Sequence, residues 1–202
     1  MAETSQTGRR QEYAIATRAA IIRAARELFA QQGFFTTRVQ DIAQRARVAP
    51  ATVYTSVGGK HAILAELAEQ LADWQPREST FDAIARARTS RDVLVALADG
   101  TSATHEDWSD VQRIVSETAP HDAKIADVQR RRLALYRRAL ETVVERLAAL
   151  EGPAWDRDRA LTTLWFYFGP FAYQPLHDGL GWTYADARTW LLAQCERALE
   201  LG

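Results

Sequence analysis

The chain of 202 residues contains one cysteine, Cys195, so no disulfide can form within it and nothing favours a secreted, disulfide-stapled fold. No run of 18 apolar residues occurs, which argues against a membrane span. The opening MAETSQTGRRQEY lacks the apolar centre of a signal peptide, and the expectation is a soluble, cytoplasmic protein. No Gly-rich phosphate loop follows a strand pattern, and no segment alternates with period two between turn signals. Internal repeats and low-complexity tracts are absent. The four histidines, His61, His105, His121 and His177, are scattered. His105-Glu106-Asp107 and His121-Asp122 offer donor atoms but no closed ligand set, and they read as loop residues. Cys195 falls on an apolar helix face and reads as packing. The expectation is no catalysis, no metal and no cofactor.

What is present is helical pattern and an uneven charge distribution. Hydrophobic residues make up 47% of the chain, enough for a sizeable core, and the net charge is −1. Residues 1–60 carry nine basic and four acidic residues, a net +5, which leaves −6 for the rest. Such a split suggests a basic module on an acidic body.

Residues 1–12 read as a disordered tail. From Tyr13 to Gln32, Ile15, Ala19, Ile22, Ala25 and Phe29 recur at helical spacing, and Gly33 follows as a C-terminal cap. Thr37, three residues before Gln40, suggests a capping box for a helix through Ala46, with Val39, Ile42 and Ala43 inward. Pro50 suits the first turn of the next helix, which Gly58-Gly59 ends. From Lys60, Ile63, Leu64, Leu67, Leu71 and Trp74 form one apolar stripe, and Pro76 stops it. Beyond lie a short helix with Val93, Leu94 and Leu97, and another with Val111, Ile114 and Val115, closed by Pro120. A long helix over about Asp122–Leu150 carries Arg130, Arg131, Arg132, Arg137 and Arg138 on a solvated face. Residues 156–178 form an apolar helix interrupted by Pro170, and Thr183 caps a final helix with Trp190, Leu191, Cys195, Ala198 and Leu199 on its apolar face. The pattern is all-α, about nine helices. Its expected parts are a helix-turn-helix module at 13–60, a connecting helix at 61–75 and a larger body at 76–202.

The segment Thr37–Lys60 reads as two short helices joined by a tight turn, a helix-turn-helix candidate. Together with the helix before it, this stretch resembles the N-terminal region of the tetracycline-repressor (TetR) family of transcription regulators, over roughly Thr17 to Leu67. The matching residues are Ile22-x-x-Ala25-x-x-x-Phe29, Gly33-Phe34, Thr37, Asp41-Ile42-Ala43, Val48, Thr52-x-Tyr54 and Lys60. Two departures stand out: Arg47 where the family has Gly in the turn, and Thr55-Ser56-Val57-Gly58-Gly59 where it has an aromatic or histidine run.

In a helix-turn-helix the second helix enters the major groove. Pro50, Ala51, Thr52, Tyr54 and Thr55 would then face double-stranded DNA, with the threonine and alanine methyls able to meet thymine methyls. The resemblance implies that Tyr54 and Lys60 hold phosphates. Thr37 and Arg47 are further phosphate candidates. Arg9 and Arg10 read as either a minor-groove arm or a solvated tail. A homodimer would read a palindromic operator through two half-sites. Trp165, Phe166, Leu191 and Leu199 on the last two helices are candidates for that interface, or for the protomer core. The resemblance also implies a small-molecule effector bound in the helical body, and an apolar or aromatic one suits Trp74, Trp108, Tyr136, Trp165, Phe168 and Tyr173. The expected function is a ligand-released repressor. A helical dimeric adaptor that has lost DNA binding is the alternative.

Overall fold

The first helix hides a different face from the one that simple spacing suggests. The computed structural model describes residues 3–73, 78–152 and 155–201. In it α1 runs Glu3–Gln32 and buries Ile21, Ala24, Ala25 and Phe29, while Ile15 is 63% exposed. Ile15, Ala19 and Ile22 fit a helical period equally well, but the two adjacent alanines allow closer approach of the neighbouring helices. The displaced residues line an open groove of about 420 Å³ with Leu67 and Gln70. Residues 3–12, expected as a disordered tail, continue α1, and from Gly8 to Ala16 every side chain is exposed. Once a helix is nucleated by packing, adding residues at its end has a low cost.

Among the described residues eight further α-helices follow: α2 Val39–Ala46, α3 Pro50–Val57, α4 Lys60–Asp73, α5 Glu78–Arg86, α6 Ser90–Thr118, α7 Ala123–Glu151, α8 Arg157–Phe168 and α9 Tyr184–Ala198. No strand occurs among these residues, and none of the helices is long and apolar enough to cross a membrane. The two short helices expected around Val93 and Val111 are one continuous α6. Thr101 and Thr104 donate their hydroxyls back to the carbonyls of Leu97 (2.9 Å) and Gly100 (2.8 Å), so these hydroxyls are satisfied within the helix between the apolar clusters. Pro120 sits in a single 3₁₀ turn, Ala119–His121, between α6 and α7. The expected stop at Pro76 and the inward placement of Trp74 lie outside the described residues.

The chain divides into two compact units. The first is Met1–Ala72 with Asp110–Gln129; the second is Asp73–Ser109 with Arg130–Gly202. The first unit thus takes in most of α4, the end of α6 and the start of α7, rather than the N-terminal segment alone. Within it α1, α2 and α3 pack on one another, with Ile42, Val53, Ile63 and Leu64 fully buried. Arg45 bridges α2 to α1 through Glu27 at 2.6 Å, and Arg26 holds Asp110 at 2.7 Å.

In the second unit α8 packs on α9 around Ala160, Leu164, Phe168, Ala187, Leu191 and Cys195. α8 stops where expected, before Pro170. Gly169 makes this possible, because a Cβ there would lie 2.1 Å from the carbonyl oxygen of Trp165. Asp156 and Thr183 cap α8 and α9, accepting from the backbone N–H groups of Arg159 (2.9 Å) and Asp186 (3.1 Å). His105 is not a loop residue: it is 4% exposed within α6 and stacks on Tyr173 at 4.4 Å.

Burial lowers the His105 pKa to about 4, with Arg132 adding to the fall and a hydrogen bond to the Gly169 backbone opposing it. The neutral imidazole is therefore the native form, and its stabilising contribution is complete above pH ~6.5, the unfolded value. It is lost as the pH falls from there to about 4, by about 3 kcal/mol. Urea unfolding followed from about pH 7 to 4 should show this loss, and His105→Phe should flatten that limb.

Candidate nucleic-acid interface

The turn between α2 and α3 is built by backbone geometry. Val48 N–H donates to the Ala43 carbonyl (3.0 Å) and Arg47 N–H to that of Gln44 (3.2 Å), the paired bonds of a Schellman motif. Arg47 occupies its left-handed position, with φ 57° and ψ 45°, at a steric cost that glycine would avoid. Its side chain is exposed. Pro50 then starts α3, which buries Val53 and Val57 and leaves Pro50, Ala51, Tyr54 and Thr55 outward, with Thr52 half-buried. Thr55 donates its hydroxyl to the carbonyls of Ala51 (3.1 Å) and Thr52 (3.3 Å), so what it offers outward is lone pairs and a methyl group.

After α3, Gly58 and Gly59 both take positive φ, 82° and 93°. Gly59 also makes room for Tyr54, since a Cβ there would meet the ring at 3.2 Å. The ring is 58% exposed and closes one side of an open groove of about 780 Å³. The other side is the start of α2, from Thr36 to Gln40.

Two expected phosphate ligands turn inward. The Lys60 ammonium donates to three backbone carbonyls of the α1–α2 turn: Phe34 (2.9 Å), Phe35 (3.2 Å) and Thr37 (2.9 Å). An ammonium has three N–H donors, and these partners match that number. It also sits 4.6 Å from the Phe34 ring centre, and burial lowers its pKa. Lys60 therefore braces the turn from a half-buried position on the groove's lining. Thr37 is 1% exposed; its hydroxyl donates to Gly33 O at 2.7 Å and accepts from Gln32 Nε2 at 3.3 Å. The start of α2 is accordingly capped one residue later than expected, by the Arg38 N–H donating to Asp41 at 2.9 Å. Thr36, Arg38 and Gln40 line the groove together with Thr37 and Lys60. Arg38 and Gln40 stand at the N-cap and in the first turn of α2, where unpaired N–H groups favour an anion.

The aromatic residues expected around an effector are mostly tied into the second unit's core. Phe168 and Tyr173 are 1% exposed. The Tyr173 hydroxyl donates to Ala98 O at 3.4 Å, and that of Tyr136 donates to Phe168 O. Tyr136 tilts against Trp165 at 6.0 Å, and both are half-buried, as is Trp108. Trp74 lies outside the described residues. Sequence reasoning missed Arg132 here: its position in an arginine-rich helix face suggested solvation, but burial lowers its pKa to about 10 beside Tyr136.

Of the four interface candidates, Leu191 (3% exposed) and Leu199 (7%) belong to the protomer core, and Trp165 packs on Tyr136. Phe166 is 72% exposed on α8. Trp190, expected inward, is 42% exposed on α9 and meets Trp182 edge-on. Asp186, Thr189 and Trp190 share the outer side of α9, because Ala187, Leu191 and Cys195 take the inner one.

Residues 21–67 match the family model described as bacterial regulatory proteins, tetR family. No curated protein matches the chain. Among solved structures, a transcriptional regulator from Saccharomonospora viridis in complex with choline aligns with 89% of this chain and 95% of its own at 21% identity, TM-score 0.68. A TetR transcription regulator from Haloarcula marismortui aligns over 92% and 97% at 17% identity, TM-score 0.66. The regulator FadR from Bacillus subtilis, in complex with stearoyl-CoA, aligns over 88% and 96% at 16% identity, TM-score 0.63. At these identities the likeness is one of fold.

Lys60→Ala should lower the stability of the first unit by about 2 kcal/mol, because carbonyls that an ammonium now satisfies lose their partner. Chemical denaturation measures this, and a change under about 0.5 kcal/mol would exclude the bracing role.

Proposed function

We propose that the chain, whose residues 21–67 match the model of the tetR family of bacterial regulatory proteins, is a ligand-responsive repressor that binds a palindromic operator as a homodimer. The observation that carries this reading is the outward face of α3. Pro50, Ala51, Thr52, Tyr54 and Thr55 stand on a short helix whose entry turn and exit turn are both held by backbone hydrogen bonds. Small side chains let such a helix approach base edges closely, and the methyls of Ala51, Thr52 and Thr55 suit thymine. Tyr54 and Arg47 supply phosphate contacts at its flanks, with Arg38 and the α2 N-terminus across the groove. The protein works by binding rather than catalysis, in the cytoplasm where its DNA lies.

The dimer forms through the outer faces of α8 and α9, where Phe166 and Trp190 stand exposed. Large exposed aromatics on adjacent helices are typical anchors of such a surface. The effector is a small apolar or aromatic molecule held in the second unit near Trp108, Tyr136 and Trp165. Solved regulators of the same fold hold choline or stearoyl-CoA, which supports ligand control without identifying this ligand. Repression is released because the effector binds better to one arrangement of the DNA readers than to the other.

One observation favours the adaptor reading: Lys60, expected on phosphate, is engaged inside the protein. Salt dependence separates the two. A dimer that reads DNA should bind sequences selected from a random pool, and its affinity should fall steeply as salt rises. Failure to enrich any sequence at low salt would exclude the repressor.

Tyr54→Phe keeps the ring over Gly59 and removes the hydroxyl. It should weaken binding to the selected sequence by about tenfold in fluorescence anisotropy, with folding unchanged. Phe166→Glu should convert the dimer to monomer in sedimentation analysis, because each two-fold copy would bury a like charge. An unchanged dimer would remove α8 from the interface.

A further inference from the structure

The second unit gathers a group of polar side chains around the end of α8. α6 contributes Thr101, His105 and Trp108, which stand four and three residues apart and so share one side of the helix. α7 contributes Arg132 and Tyr136 at a spacing of four. The segment after α8 contributes Tyr173, whose ring stacks on the His105 imidazole at 4.4 Å and whose hydroxyl lies 3.5 Å from that of Thr101. Tyr136 donates its hydroxyl to Phe168 O, and His105 hydrogen-bonds the backbone of Gly169, the next residue. Both rings are thereby anchored to the end of α8, and donors other than Arg132 serve these two backbone groups.

Burial and charge divide the roles within the group. Thr101, His105 and Tyr173 are buried, whereas Trp108, Arg132, Tyr136 and Trp165 are half-buried, so part of each is reachable from solvent. Burial is the main influence on the ionisation of His105 and of Tyr136, and the Arg132 charge is a further one on each. Its guanidinium therefore lies within electrostatic reach of both rings. Arg132 stays protonated at neutral pH, since burial lowers its pKa only to about 10, while His105 is neutral there. Beside Tyr173, Arg188 and Asp99 pair with each other at 2.5 Å. Drawing a guanidinium out of water has a cost that a bound anion offsets. Aromatic rings by themselves suit a cation, but the Arg132 charge repels one.

We propose that this group is the polar end of the effector site and that the effector is a small monocarboxylic acid: Arg132 takes the carboxylate, and Trp108, Tyr136 and Trp165 take the aromatic or alkyl body. The planar guanidinium matches a carboxylate with two parallel hydrogen bonds, and one cation matches one negative charge. Tyr136 and Trp165 already tilt against each other at 6.0 Å, which sets apolar surface beside the charge. Such an acid is a special case of the apolar or aromatic effector inferred above and rests on that reading.

The test is titration of the full-length protein at neutral pH, followed by tryptophan fluorescence, with benzoate, phenylpropionate and octanoate and with the primary amide of each. Choline serves as the cationic probe. At least one acid should bind about tenfold or more tightly than its amide, and should weaken binding to the selected DNA by a similar factor. Arg132→Gln should bring acid and amide to within about twofold of each other. Arg132→Lys, which keeps the charge and loses the fork, should retain a preference of about threefold. Circular-dichroism melts establish that each variant is folded; if neither folds, the wild-type comparison of acid with amide decides alone. Five outcomes overturn the assignment: no acid bound, acids bound no better than their amides, a preference that survives in folded Arg132→Gln, tighter binding of choline, or a bound acid that leaves DNA affinity unchanged. If the wild type selects no DNA, the repressor reading fails while the acid and amide titrations still decide the site; if it selects DNA and shows no preference for acids, the acid assignment alone fails.

Discussion

A single ammonium group under three carbonyls organises the first unit. Lys60 gathers the backbone of Phe34, Phe35 and Thr37 around its charge, which fixes the turn that delivers α2. That turn sets the direction of α2, the Schellman turn after it sets α3, and α3 carries the outward face proposed to read DNA. A charged donor to neutral carbonyls is among the stronger hydrogen bonds a protein makes, and partial burial strengthens it. The two glycines beyond α3 answer a separate constraint, the positive φ of both and the Tyr54 ring over Gly59.

The basic character of the N-terminal region serves structure as much as recognition. Arg18 pairs with Glu66, Arg26 with Asp110 and Arg45 with Glu27, and Lys60 is engaged with the backbone. Arg38 and Arg47 remain exposed beside the reading face. A net charge of +5 in the first 60 residues therefore overstates the charge presented to DNA. The face itself is small and methyl-rich, which favours shape and apolar contact over long-range attraction.

The second unit shows how aromatic content divides between core and surface. Phe168 and Tyr173 fill space and satisfy their polar atoms internally, while Phe166 and Trp190 stand out on the free sides of α8 and α9. His105 and Arg132 add polar groups that burial holds away from their ordinary protonation ranges. A polar pair beside aromatic rings gives this region chemical character beyond simple packing.

Helix existence was legible along most of the chain, because period and capping are local properties. The stripe Ile63, Leu64, Leu67 and Leu71, the inward set Val39, Ile42 and Ala43, the Thr183 cap and the stop before Pro170 all follow from neighbours within a few residues. The all-helical fold and the helix-turn-helix were therefore determined by the sequence itself. So was the outward set on α3, since Val53 and Val57 leave it one free side. The destinations of side chains that could serve two purposes were decided only in three dimensions. Ile21 won over Ile22, Lys60 and Thr37 turned inward, Leu191 and Leu199 joined the core, and one α6 replaced two helices. In each case local pattern permits two outcomes of similar free energy. The choice depends on partners distant in sequence — the carbonyls of Phe34 and Phe35 for Lys60, the core around α8 for Leu191 — which no local spacing encodes.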